Sequence, residues 1–344
     1  MVKRMRNSGV VWIGGLLLII LMVVSSCDTD IDINAENREV PIVYCVLDIA
    51  DSVQFLKLNK TYLLEQAALE NPPHRDSMYF VGNIDIVLER WEGNKPVEII
   101  SFYPSTDIIK DDGFFPSDDN IIYKADTRIL SNTVYHLNIY VEDKERILHS
   151  EITTVGKLLV IDPIDLPQRV VSLNTGINYT TRWKPVSNAG IYQVVVRFHY
   201  KEIIDGDIQD LHFEWPQSFT SPISNVDYLS KDISGARFYH ILSDEIPVKN
   251  GLSRQVSDID ILILSGGMEL KYYIESTAPA DGALMERPVY TNIVNGLGIF
   301  SSVATKEVNG LSLASTTIDS IAYGQITKDL LFLDHKGLRN DDGE

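Results

Sequence analysis

Cysteine is nearly absent, with two in 344 residues, too few for the disulfide framework that stabilises small secreted scaffolds. Glycine (21) and proline (14) are too sparse for a collagen-like or proline-rich chain. Basic residues are scarce beside acidic ones, 30 against 48, for a net charge of −18. Phosphate binding needs a basic surface, so nucleic acid is excluded as a partner. Beyond the N-terminus no apolar run reaches the roughly 18 residues that mark a membrane-spanning helix. What remains is a chain 44% hydrophobic and 23% charged, the composition of a folded protein. Its length suggests about two domains.

The N-terminus is the most informative segment. Lys3, Arg4 and Arg6 precede an uncharged stretch from Val10 to Val24, too short to span a bilayer and matching the apolar core of a signal peptide. It ends in Val24-Ser25-Ser26-Cys27. An apolar residue, two small residues and then Cys is the pattern of a bacterial lipobox, in which the Cys27 thiol takes the diacylglyceryl group. Residues 1–26 are therefore expected to be a lipoprotein signal peptide, removal of which takes the net charge from −18 to −21. Two or three acyl chains anchor stably where one does not, so Cys27 is the expected membrane attachment. Residues 27–39 contain Asp28, Asp30, Asp32, Glu36 and Glu39 and read as an acidic flexible tether. Acidic residues after the lipidated Cys also resemble the surface-export signal of Bacteroidetes lipoproteins. The expected location is the outer membrane, lipid-anchored and surface-exposed.

The rest of the chain reads as mainly all-β: two β-sandwich domains, the second fibronectin type III-like with short helical insertions. Seven strands are expected at Val40–Leu47, Val53–Tyr62, Ile84–Arg90, Val97–Phe102, Ile121–Lys124, Val134–Val141 and Ile147–Val155, most of them separated by turn-forming residues. They make an immunoglobulin-like sandwich over 40–156. The acidic excess is concentrated toward the tethered end, over residues 28–155, and Cys45 lies in an apolar strand as a buried thiol. A junction at Lys157–Pro167 leads to the second domain, 157–330, before a polar tail at 331–344. In that domain Ile177–Trp183 alternates into Lys184-Pro185, and Ile191–Tyr200 follows after a turn. This order resembles the B and C strands of fibronectin type III domains, in which such a Trp packs between the sheets. A short helix is expected at Phe238–Glu245 and strands at Asp258–Leu264 and Leu297–Val303. Met268–Ser276 fits either a strand or a helix.

A further resemblance rests on Pro41-Ile42-Val43-Tyr44, Asp51-Ser52-Val53-Gln54, Trp183-Lys184-Pro185 and the stretch Pro288-Val289-Tyr290-Thr291-Asn292-Ile293-Val294-Asn295-Gly296-Leu297-Gly298-Ile299-Phe300. The last resembles the C-terminal signature of a Bacteroidetes lipoprotein family, domain of unknown function 4249, in which P-x-x-x-S-N-I precedes G-x-G-x-F. Thr291 stands where Ser is usual, and Ser301-Ser302 replaces a glycine-containing continuation. The resemblance implies β-sandwich domains and association with a TonB-dependent outer-membrane receptor; it carries over no catalytic residues. The physical reading of the stretch is structural, with Gly296 and Gly298 permitting close backbone approach. Asn292, Gly296, Gly298 and Phe300 are the alternative candidates for a partner contact.

Catalytic motifs are lacking: no G-x-S-x-G, H-E-x-x-H, C-x-x-C or phosphate-binding loop occurs. The seven histidines are scattered without close metal-ligand spacing, and His136 and His199 are expected on the polar faces of strands, at solvated surface or inter-domain positions. Asp111, Asp112, Asp118 and Asp119 surround a turn-rich loop whose oxygen atoms suit calcium, against the plainer reading of a solvated loop. No other cofactor is expected. The chain is thus expected to be a non-enzymatic binding or accessory protein. A glycan-binding or adhesive module with an exposed aromatic platform is the alternative, followed by a hydrolase with carboxylates brought together from distant positions.

Overall fold

In the computed structural model, alternation along Val134–Val141 becomes a strand whose Tyr135, Leu137, Ile139 and Val141 are buried, as a period of two on a half-covered sheet requires. The structure describes residues 40–61, 79–80, 82–106, 120–141, 146–164, 169–278 and 290–339. Cys27 and the tether lie outside them, as does the loop with Asp111, Asp112, Asp118 and Asp119. All seven strands expected before residue 156 are present: β1 (Pro41–Asp48), β2 (Val53–Lys60), β3 (Ile84–Glu92), β4 (Lys95–Ser105), β5 (Ile122–Asp126), β6 (Val134–Val141) and β7 (Arg146–Thr153). They are followed by β8 (Val160–Asp162), β9 (Val170–Val171), β10 (Asn178–Trp183), β11 (Ala189–Ile204), β12 (Asp207–Pro216) and β13 (Leu229–Ser234). Helix α1 (Gly235–Glu245), β14 (Ser253–Gly267), α2 (Met268–Thr277), β15 (Leu297–Leu313) and α3 (Ser315–Tyr323) complete the order.

The protein is mainly β. Its large mixed sheet runs β12-β11-β14-β15-β1-β2-β5-β4-β3-β6-β7, with β9 beside β15, and a smaller sheet runs β13-β10-β8. The small sheet covers one face of the β11–β14–β15 region. Trp183 of β10 is fully buried there, its ring 5.6 Å from that of Tyr192 on β11, the position the Trp-bearing strand suggested. Hydrophobic packing forms two clusters. One gathers β1–β7 around Leu56, Leu88 and Tyr135; the other gathers the later strands and helices around Trp183, Phe198 and Phe238.

The sheet does not stop between these cores. Near its middle, β1 pairs in parallel with β15, from Ile42 opposite Leu297 to Asp48 opposite Val303. Phe300 and Ile293 belong to the first core although they are late in sequence, and the half-buried Ile49 packs against both. Described residues from Val40 onward form one compact unit.

Two local ambiguities resolve through packing. Met268–Thr277 is a helix, seated against β15 and β11 at the end of β14. β12 was not expected as a strand because its outer half is polar. It is an edge strand, held to β11 over ten residue pairs beyond the two-residue turn Asp205-Gly206. Both turn residues have positive φ, 50° and 94°, the geometry that Asp-Gly hairpins favour.

Of the stretch expected as a polar tail, 331–344, the start is packed. Phe332 is fully buried, with its ring 5.8 Å from Tyr200 and 6.2 Å from Phe198. Arg254 holds it there. Its N–H donates to the Leu331 carbonyl, and its own carbonyl accepts from Leu333. The fully buried guanidinium donates to Glu202 Oε1 at 2.6 and 3.0 Å, and to the Leu330 and Pro247 carbonyls. Lys249 reaches the other Glu202 oxygen at 3.1 Å.

Removing one partner strands a buried charge, so Arg254→Met should cost about 3–5 kcal/mol, measured by chemical denaturation. Burial alone would raise the Glu202 pKa, but the hydrogen bonds and charges of Arg254 and Lys249 outweigh it and hold the carboxyl below its ordinary range. A depressed folded pKa means this stabilisation is complete above the unfolded value and lost as pH falls through the folded one. The wild-type Tm should therefore fall steeply below about pH 4, and Glu202→Gln should start lower and show a flatter acid limb.

Candidate functional site

Alternation on β11 sends Val194, Val196, Phe198 and Tyr200 into the core and leaves Arg197 and His199 on the opposite face. On β14, Ile259, Ile261 and Ile263 point to the same core, so Asp258 and Asp260 share the opposite face. Two irregularities bring these polar groups together. Phe198 faces Ile259 but Tyr200 faces Val256, so His199 stands against two residues, Ser257 and Asp258. Across the other edge, Ile259 faces Leu311 and Ile261 faces Val308, so Asp260 stands against Asn309 and Gly310. Both are two-against-one bulges, which re-aim side chains and bend the sheet. Gly310 has φ +68°, a conformation that glycine adopts without penalty, and its N–H donates to Asp260 Oδ1 at 2.9 Å.

The result is an open cleft of about 800 Å³ lined by His199, Lys201, Asp210, Asp258, Asp260 and Asn309. His199 Nε2 and Asp260 Oδ2 are 2.8 Å apart. The donor atoms of His199, Asp258 and Asp260 all lie within 4.8 Å of one another. Arg197 approaches Asp260 at 3.6 Å while donating to Glu214 at 2.7 Å. Burial raises the Asp258 pKa, as does the charge of Asp260, with His199 opposing. His212 faces His199 across β11 and β12, ring centroids 5.5 Å apart.

Sequence reasoning missed this site. His199 was expected as a solvated residue and Asp258 only as the first residue of a strand. One local signal was available, since Asp260 sits inside the apolar run Ile259-Asp260-Ile261-Leu262-Ile263, where a carboxylate is rare unless paired.

Asn292, Gly296, Gly298 and Phe300 are brought together, and their contacts are structural. The Asn292 amide takes the place of a strand neighbour for Phe300, accepting its N–H at 2.9 Å and donating to its carbonyl at 2.7 Å. The Asn292 carbonyl accepts from Ser150 Oγ, and Val294 exchanges backbone hydrogen bonds with His149 of β7. Gly298 has φ +103°, and a Cβ there would collide with the Val43 carbonyl; one on Gly296 would press on Leu148 and the Pro41 carbonyl. This segment thus clips β7, β1 and β15 together. Ser302, where the resemblance expects a glycine-containing stretch, accepts the buried Val155 N–H at 3.0 Å.

No family model and no curated protein matches the chain. Among solved structures, it is similar to the FN1–FN3 domains of chicken CNTN1 at 8% identity, over 80% of this chain and 67% of that one, with a TM-score of 0.17.

Asn292→Ala would leave the Phe300 N–H and carbonyl unpaired and should cost about 1–3 kcal/mol. Gly298→Ala should cost more, because it adds backbone strain to a collision with β1. Urea denaturation of the two variants beside wild type measures both, and equal stability of all three would refute the structural reading.

Proposed function

We propose that this protein is a lipid-anchored binding protein of the bacterial outer membrane, exposed at the cell surface and accessory to a TonB-dependent transporter. The observation that carries the reading is Val24-Ser25-Ser26-Cys27 directly after a short apolar core. The first described strand begins at Pro41, and the chain from Cys27 to it would span at most about 50 Å if fully extended. Among the described residues no helix is long and apolar enough to cross a membrane, which leaves the acyl chains as the attachment in this reading. The transporter partner rests on the resemblance of 288–300 to the lipoprotein family.

Cys27→Ser should leave the precursor unlipidated and release the protein from the membrane fraction; recovery in the outer membrane at wild-type levels would overturn the anchor. A mild-detergent pull-down of the lipidated protein, read by mass spectrometry, should return a stoichiometric TonB-dependent receptor. A clean monomer would refute the accessory role.

A second reading, glycan binding, is favoured by one observation. Tyr44 of β1 and Tyr272 of α2 are exposed by 40% and 44%. They lie beside Tyr273 and Tyr290, with ring centroids 6.2 Å apart for Tyr44–Tyr273 and 5.6 Å for Tyr272–Tyr290. Burial, with Tyr44 adjacent, pushes the Tyr273 phenol up to about 12, so the group stays neutral. If this platform binds sugar, Tyr272→Ala with Tyr44→Ala should abolish signals on a glycan array without changing Tm. A wild-type protein silent on the array would remove this reading.

A further inference from the structure

We propose that the cleft between β11 and β14 is a binding site for a first-row divalent transition metal, of which Zn2+ is the natural probe, held by His199, Asp258 and Asp260. The site is independent of the lipid anchor and distinct from the acidic loop at 111–119.

Three features of the cleft carry the inference. The first is convergence: one imidazole nitrogen and two carboxylate oxygens, from two strands, within 4.8 Å of one another. They are set there by a bulge on each edge of β14, so the grouping is a product of the backbone and not of flexible surface side chains. The second is an uncompensated carboxylate. Asp260 is satisfied by His199 and by the Gly310 N–H. Asp258, only partly exposed, has no hydrogen bond or ion pair among the described residues and stands beside a second carboxylate. The third is charge. Around the cleft, Asp210, Glu214, Asp258, Asp260 and Glu307 face two cations, Arg197, which is shared among Glu214, Asp260 and Glu307, and Lys201, which pairs with Asp210. A divalent ion would offset most of the remaining three negative charges.

Donor chemistry selects the class of ion. Calcium and magnesium prefer all-oxygen shells, whereas imidazole nitrogen with carboxylates suits zinc, manganese, iron and their neighbours. Three protein ligands facing an open cleft leave further positions for water or an exogenous ligand. His212 on β12 stands across from His199, with ring centroids 5.5 Å apart.

The test uses the full-length, detergent-solubilised protein, stripped with EDTA and titrated calorimetrically with Zn2+, Mn2+, Ca2+ and Mg2+. One equivalent of Zn2+ should bind, more tightly than Ca2+ or Mg2+. His199→Ala and Asp258→Asn should each weaken Zn2+ binding by at least about 100-fold. Asp258 holds no hydrogen bond, so Asp258→Asn tests the site with the fold intact, which a circular-dichroism melt checks. His149→Ala, on β7 and away from the cleft, should bind as wild type. The proposal is overturned if no stoichiometric Zn2+ binds, if both cleft substitutions leave binding unchanged, or if Ca2+ binds more tightly than Zn2+.

Discussion

The parallel pairing of β1 with β15 is the contact on which the rest of the architecture depends. It joins the first described strand to the last, and through it two hydrophobic cores share one sheet. Parallel neighbours need a long connection, and here it runs from Asp48 to Leu297 and contains every other described strand of both sheets. The pairing requires that the two backbones meet where Gly298 passes the Val43 carbonyl, a place with no room for a Cβ. It also requires that Phe300, paired to Cys45 on one side, find a substitute partner in the Asn292 amide. The Asn-to-Phe spacing of the 288–300 stretch is thus a folding device: an asparagine side chain standing in for a strand at a point where the chain must turn back onto itself.

The same sheet generates its cleft through local faults. A regular β11–β14–β15 ladder would space His199, Asp258 and Asp260 along an ordinary strand face. Two bulges gather them, and the left-handed Gly310 supplies the N–H that holds Asp260 in place. On the core side of the same strands, Phe198, Ile259 and Ile261 are fully buried, so the cleft rests on a rigid floor. The Glu202–Arg254 pair lies on the same two strands, a few residues along, and pins the segment carrying Phe332 against them. Packing, ion pair and bulges together stiffen the wall from which the cleft side chains project.

Much of the fold was legible because alternation is a property of near neighbours. β1 through β7 follow from period-two runs and intervening turns, and the burial of Trp183 is what the resemblance to the B and C strands of fibronectin type III domains implied. Residues 268–276 were ambiguous because Leu270, Tyr272 and Ile274 fit one period while Leu270, Tyr273 and Ile274 fit another. Packing at the end of β14 decided for the helix. β12 escaped notice since an edge strand needs no apolar outer face, although Asp205-Gly206 announced its hairpin. The packed segment around Phe332 lies in the apolar run Leu330-Leu331-Phe332-Leu333, but four consecutive apolar residues carry neither a strand's nor a helix's period and do not say what they pack against.

The sequence by itself determined the β-rich character, the positions of most strands, the acidic surplus and the Val24–Cys27 pattern on which the proposed anchor rests. Each of these is written in residues adjacent along the chain. Only the tertiary structure decided that Ile42 lies beside Leu297, that Asn292 serves Phe300 as a strand would, and that His199 meets Asp260, 61 residues away. Register and bulge placement arise from the cooperative fit of whole strands against two cores. No local pattern specifies which residue of one strand will face which residue of another.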